Sequence, residues 1–143
     1  MRERTPSILL IEDHATLGRI LARFLRERGN MAIWALVETA EAALERLAAR
    51  PANGGPPDLI LIDASLPEMS GIDLVAELAR RYPELPCLML SAHSDPKYVR
   101  QALDNGARGY VAKGDPPVVV EAVGQVLNGE IYLSDVMRQA MDA

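Results

Sequence analysis

With 143 residues, 49% of them hydrophobic and 24% charged, the chain has the size and balance of one globular domain, large enough to bury a core without disulfide staples. A formal net charge of -5 argues against non-specific nucleic-acid binding by this segment, and the single Cys87, set in the apolar run PCLML, excludes an intrachain disulfide and reads as a small core residue. No stretch approaches the roughly 20 apolar residues of a membrane helix, and MRERTPSILLIEDH has charges on both sides of a very short apolar run, so a cytoplasmic protein with no membrane partner is expected.

SILLI (7–11) predicts a first strand, ended by Glu12 and Asp13. Leu17, Ile20, Leu21, Phe24 and Leu25 then recur at helical spacing, with Gly29 as the stop. Arg19, Arg23, Arg26 and Arg28 fall on this helix and fit a solvated face or a partner-docking surface. MAIWALV (31–37) predicts a second strand, and TAEAALERLAAR (39–50) a second helix capped by Thr39. After the loop PANGGPPD, the unbroken run LILI (59–62) predicts a strand buried on both faces of a parallel sheet. A helix bearing Ile72, Val75, Leu78 and Ala79 follows, then a fourth strand, PCLMLS (86–91). Ser94 or Asp95 is expected to cap the next helix with Pro96 in its first turn, ARGYVAK (107–113) to form a fifth strand, and Asp115 to cap a last helix that runs from Pro116 to near Gly129. Five strands alternating with five helices define an open, doubly wound parallel α/β sheet.

Ligands of such sheets bind beyond the carboxyl ends of the strands, which makes the last residue of each strand the informative one. Those residues are Glu12 and Asp13, Asp63, Ser91 and Lys113. Two carboxylates about 4 Å apart repel by roughly 4 kcal/mol at an effective dielectric near 20, and one lysine offsets only part of the repulsion among three. A hard cation is expected to supply the rest. Mg2+ is the best candidate, because it takes few carboxylates and keeps positions open for phosphate oxygens. A carboxylate nucleophile, a metal and two donors together suit phosphoryl transfer.

Four segments, ILLIEDH, LILIDASLPEMSGIDL, LMLSAHSD and GARGYVAKGD, stand in order with 50 residues from Asp13 to Asp63, 28 from Asp63 to Ser91 and 22 from Ser91 to Lys113. In this the chain resembles the receiver domain of bacterial two-component response regulators, with VLNGEIYLS resembling the end of receivers in the NarL/LuxR-type class. The resemblance implies a flavodoxin-like (βα)5 fold with strand order 2-1-3-4-5 over residues 1–128, and residues 129–143 as a linker or tail toward a helix-turn-helix module outside the sequence given. It implies Asp63 as phosphoacceptor from a sensor histidine kinase, and Mg2+ held by Asp13, Asp63 and the Ser65 backbone carbonyl, with Glu12 partly through water. Ser91 and Lys113 would contact the phosphoryl oxygens, and Tyr110 would be the aromatic partner of Ser91 in the switch. Ser65 and His93 fall where members tune dephosphorylation. Gly114 stands where many carry a cis proline, a feature not expected before glycine.

The implied role is a phosphorylation switch rather than an enzyme, with transcription regulated through the missing module and homodimerisation through the face formed by residues 95–105, 107–112 and 116–128. An aspartate-nucleophile phosphohydrolase is the runner-up, and it fits less well because Ser65 stands where such enzymes carry a second acid. An interaction module with a dead site is a third reading, opposed by the complete set of rim residues. His14 reads as a solvent-facing helix start, and Pro67 and Gly71 as residues chosen for backbone geometry.

Overall fold

The computed structural model describes residues 5–49, 54–92 and 95–142. His93, and Ser94 as an alternative cap, lie outside these. Strands β1 (Ser7–Ile11), β2 (Ala32–Val37), β3 (Leu59–Asp63), β4 (Cys87–Ser91), β5 (Gly109–Ala112) and β6 (Tyr132–Leu133) form one parallel sheet in the order β2-β1-β3-β4-β5-β6. Helices α1 (Ala15–Glu27), α2 (Ala40–Ala48), α3 (Gly71–Arg81), α4 (Pro96–Asp104), α5 (Pro116–Leu127) and α6 (Asp135–Asp142) alternate with them. The expected order 2-1-3-4-5 is present, and a sixth strand extends it.

Every residue of β3 and β4 is buried, as the unbroken apolar runs require. Alternate side chains go to opposite faces. Leu9, Ile11, Ile60, Ile62, Cys87 and Met89 pack with α2, α3 and α4, while Ile8, Leu10, Leu59, Leu61, Leu88 and Leu90 pack with α1 and α5. Each such side chain contributes about 1.5–3 kcal/mol by leaving water. Burial lifts the Cys87 thiol to about 12, so it stays protonated and inert, as a small core residue should. Trp34 on β2 is half-buried, and its indole Nε1 donates to the Gly55 carbonyl at 3.0 Å, tying that edge strand to the loop ahead of β3.

The helix starts follow capping chemistry. His14 Nδ1 accepts from the Leu17 N–H at 3.3 Å, Thr39 Oγ1 from Ala42 at 3.0 Å, Ser70 Oγ from Asp73 at 3.1 Å and Asp95 Oδ1 from Lys97 at 2.9 Å. Asp115 departs from expectation: it occupies the cap position of α5 without a side-chain hydrogen bond. Pro116 and Pro117 remove two of the donors a cap would satisfy, and the Asp115 carbonyl accepts from Val118 and Val119 instead. α1 ends at Glu27 with Arg28 as its cap, just before Gly29 as expected. The left-handed residue is Asn30, with φ 55°, and not Gly29.

The segment expected from sequence to be a tail carries regular structure at 132–133 and 135–142. β6 pairs in parallel with β5, with Gly109 opposite Tyr132 and Tyr110 opposite Leu133. Ser134 Oγ accepts from Met137 N–H at 3.2 Å and starts α6, which packs on α4, and Arg100 Nη2 donates to the Met141 carbonyl at 3.4 Å. Among the described residues no helix is long and apolar enough to cross a membrane.

Candidate functional site

The parallel sheet brings the strand ends to one rim, as expected. Glu12, directly after β1, and Asp63, the last residue of β3, are buried, while Asp13 is exposed. One carboxylate oxygen from each of the three lies within 4.8 Å of the others. Lys113, one residue beyond β5, places Nζ 3.2 Å from Asp63 Oδ2 and 3.5 Å from Glu12 Oε1, while its N–H donates to the Ser91 carbonyl at 3.1 Å. The N–H of Ser65 donates to Asp63 Oδ1 at 2.9 Å, so this residue meets the site through its amide in addition to any role of its carbonyl. The N–H of His14 holds Glu12 Oε2 at 3.1 Å.

Asp63 Oδ2 has the lysine beside it as an ion pair but no hydrogen bond, the one buried side-chain polar atom among the described residues left so. An atom of this kind, at the end of a rigid strand, is available to a ligand. Burial lifts Glu12 to about 7, and the neighbouring Asp63 adds to the rise, against the His14 N–H and Lys113. Burial also acts to raise Asp63, but the Ser65 N–H, the Asp13 and Glu12 side chains and Lys113 together hold it below the usual carboxylate range. A proton in this pair therefore resides on Glu12, leaving Asp63 ionised. For Lys113, burial disfavours the charge, yet Asp63 and Glu12 outweigh it and raise its pKa.

This arrangement fixes a pH dependence. Between about 4.5 and 7 the metal-free folded chain binds a proton on Glu12 that the unfolded chain has released, so stability declines as pH rises through that window. The decline is expected to amount to about 3 kcal/mol and to vanish in Glu12→Gln, checked by urea unfolding in EDTA at pH 4.5 to 8. The low pKa of Asp63 acts only below the ordinary value of 3.8, outside the window.

Three carboxylates around one ammonium make the hollow acidic, and Asp63 Oδ2 meets Lys113 without a hydrogen bond, so the cluster could hold a metal ion. Glu12, Asp13 and Asp63 are oxygen donors of the kind a hard divalent ion takes, so the residues fit Mg2+. On the far side of Asp63, Tyr110 is turned inward, 1% exposed, and shares a hydrogen bond with Ser91. The two residues line a cavity of about 450 Å³ with Ser65, Tyr98 and Gln101, which joins the rim to α4.

Sequence reading missed two supports, the Ser70 cap of α3 and the turn at Glu68, while the backbone role expected of Gly71 is present. A Cβ at Gly71 would lie 2.3 Å from the Asp63 carbonyl oxygen, so only glycine lets α3 begin against the strand end. Glu68 adopts a left-handed φ of 69°, a strained conformation in the loop that follows Asp63. A serine–glycine pair seven and eight residues past the end of β3 was the available signal. The arginines of α1 are exposed, with Arg23 paired to Glu27 at 3.1 Å and Arg28 lying 5.7 Å from the Phe24 ring centre.

A flavodoxin-like α/β sheet with an acidic rim and a lysine is the class of site defined here. The family model described as the response regulator receiver domain matches residues 8–124, and the chain belongs to that family, the receivers of two-component systems. It is 38% identical over 127 residues to the transcriptional activator protein ExaE of Pseudomonas putida, covering 88% of this chain and 57% of that protein. It is 32% identical over 134 residues to the transcriptional regulatory protein DegU of Brevibacillus brevis, covering 93% and 55%. The chain thus spans little more than half the length of these relatives. Among solved structures it is similar to a LuxR-family two-component response regulator from Aurantimonas sp. SI85-9A1, with a TM-score of 0.87, 25% identity and coverage of 97% and 96%. It is also similar to the signal receiver domain of the putative response regulator NarL from Mycobacterium tuberculosis, with a TM-score of 0.79, 28% identity and coverage of 90% and 100%. The NarL/LuxR-type character read from the sequence is borne out.

Proposed function

We propose that this receiver accepts a phosphoryl group on Asp63 from the phosphohistidine of a sensor histidine kinase. The observation that carries this reading is the buried, ionised Asp63 carboxylate with one oxygen free of hydrogen bonds beside Lys113. Asp63 oxygen forms the new P–O bond as the P–N bond breaks, and the imidazole nitrogen keeps the electron pair of the bond it loses. Lys113 Nζ and the Ser91 hydroxyl stand at the rim as donors for the phosphoryl oxygens. Asp13 and Asp63 with the Ser65 carbonyl, and Glu12 partly through water, would hold Mg2+, and the ion would supply positive charge to the same oxygens. The protein catalyses only its own phosphorylation and dephosphorylation in this reading and turns over no separate substrate.

Residues 1–128 form the receiver domain in this proposal, and residues 129–143 lead toward an output domain. The printed names of the relatives support transcription regulation as the output, with DNA contacted by that domain and not by this segment. A cytoplasmic site of action follows from the kinase partner. Phosphorylation-dependent homodimerisation is proposed with it; β6 and α6 lie on the β5 edge and on α4, so the pairing surface must include or displace them.

Intact-protein mass after incubation with Mg2+ and acetyl phosphate tests the reading. One acid-stable, base-labile phosphoryl adduct is expected on the wild type and none on Asp63→Asn. A folded wild type that gains no adduct would sink the phosphoacceptor assignment.

A further inference from the structure

In a five-stranded sheet β5 would be an edge strand, and the side of Tyr110 away from β4 would be open. Here it is closed. Leu133 sits opposite Tyr110 in the β5–β6 register and packs into the same buried cluster. Met137, 3% exposed, enters that cluster from α6 together with Met141. The α6 helix rests on α4, whose Val99 and Ala102 are fully buried in the cluster. Tyr110 thus shares one buried cluster with α4, β4 and the C-terminal segment, with Leu133 beside it and its hydroxyl on Ser91. Ser91 in turn adjoins the phosphoacceptor: Asp63 is paired with Leu90 in the β3–β4 register, and Ser91 is the next residue.

We propose that Leu133 and Met137 are positioning residues, which hold Tyr110 against Ser91 and so set the Ser91 hydroxyl for phosphoryl-group binding at Asp63. The inference rests on the phosphoacceptor reading and deepens it. A hydroxyl has one donor and two acceptor sites, so Ser91 serves Tyr110 and a phosphoryl oxygen at once. Docking of α6 and occupation of the site then favour one another, and the coupling is reciprocal. Loosening α6 weakens phosphoryl-group binding, and a bound phosphoryl group tightens α6.

The test uses the full chain, Mg2+ and beryllofluoride as the phosphoryl mimic, with affinity read by fluorine NMR and α6 docking by hydrogen exchange of residues 135–142. Met137→Ser is expected to lower beryllofluoride affinity about fivefold, at the low end of typical coupling, while Met137→Leu restores it. In a Tyr110→Ala background, Met137→Ser should cost nothing further in affinity, although it still lowers the melting temperature. A merely structural role would lower the melting temperature in both backgrounds and leave affinity unchanged. Wild-type affinity in Met137→Ser with α6 exchanging fast, or an undiminished loss in the Tyr110→Ala background, overturns the proposal. A wild type that binds no beryllofluoride overturns the phosphoacceptor reading, and this inference with it.

Discussion

Gly71→Ala is expected to be among the most damaging single-methyl changes in this chain. The new Cβ would meet the Asp63 carbonyl oxygen at 2.3 Å and the Ala64 Cα at 2.8 Å, both backbone atoms of the strand end that carries the phosphoacceptor. Neither is the tip of a flexible side chain, so α3 must move away as a unit. The Gly71 N–H donates to the Ala64 carbonyl at 3.0 Å, and that bond is strained or lost as well. A loss of about 3 kcal/mol follows, or roughly 10 °C in melting temperature for a chain of this size. Phosphorylation should slow even where the protein is folded, since α3 and the Asp63 carboxylate are positioned through the same backbone. Gly124→Ala is the control: nothing lies within 4 Å of its added Cβ, and a helix-interior glycine replaced by alanine should gain about 0.5–1 kcal/mol. Equal melting temperatures for Gly71→Ala and wild type would show that the strand end yields more easily than the geometry allows.

The second large effect is expected from Lys113→Met. The substitution keeps most of the apolar stem and removes the one ammonium that, among the described residues, faces Glu12 and Asp63, both buried. Removing the lysine leaves the ionised Asp63 carboxylate buried without its counter-charge. Because Lys113 keeps 18% of its side-chain surface exposed, the loss is set at about 2–3 kcal/mol rather than the full range for buried pairs. In EDTA the melting temperature should drop by about 8 °C. Millimolar Mg2+ should restore most of it, because a cation bound by the folded state alone stabilises by mass action. Thermal unfolding in EDTA and in Mg2+ decides the matter. A drop of the same size in both conditions would assign the lysine to packing and not to charge compensation.

Sheet and rim were legible because a parallel sheet buried on both faces writes unbroken apolar runs, and each run ends where the fold requires polar chemistry. LILID states strand, burial and site in five residues. The misses share a physical reason: each depended on what the chain meets, not on its own pattern. Two residues are too few for period-two alternation, so Tyr132 and Leu133 gave no strand signal; β6 exists because the β5 edge offers it partners. Asp115 looks like a cap, but the two prolines after it carry no N–H and the Val118 N–H goes to the Asp115 carbonyl. Tyr110 was recognised at its position, whereas Leu133 and Met137, which share its buried cluster, come from a segment read as a tail.

The indole of Trp34, bonded to the Gly55 carbonyl, gives this chain a built-in optical separation of two events. It is the single tryptophan, and it lies on β2, four strand spacings from Tyr110 on β5, or about 19 Å at the usual inter-strand distance. Its emission will therefore change when β2 and the preceding loop of β3 come apart. It should respond little to a movement of Tyr110 itself, which lies at the other side of the sheet. Unfolding curves recorded at 295 nm excitation thus report global unfolding through β2, and their shift with Mg2+ or a phosphoryl mimic reads the stabilisation that binding adds.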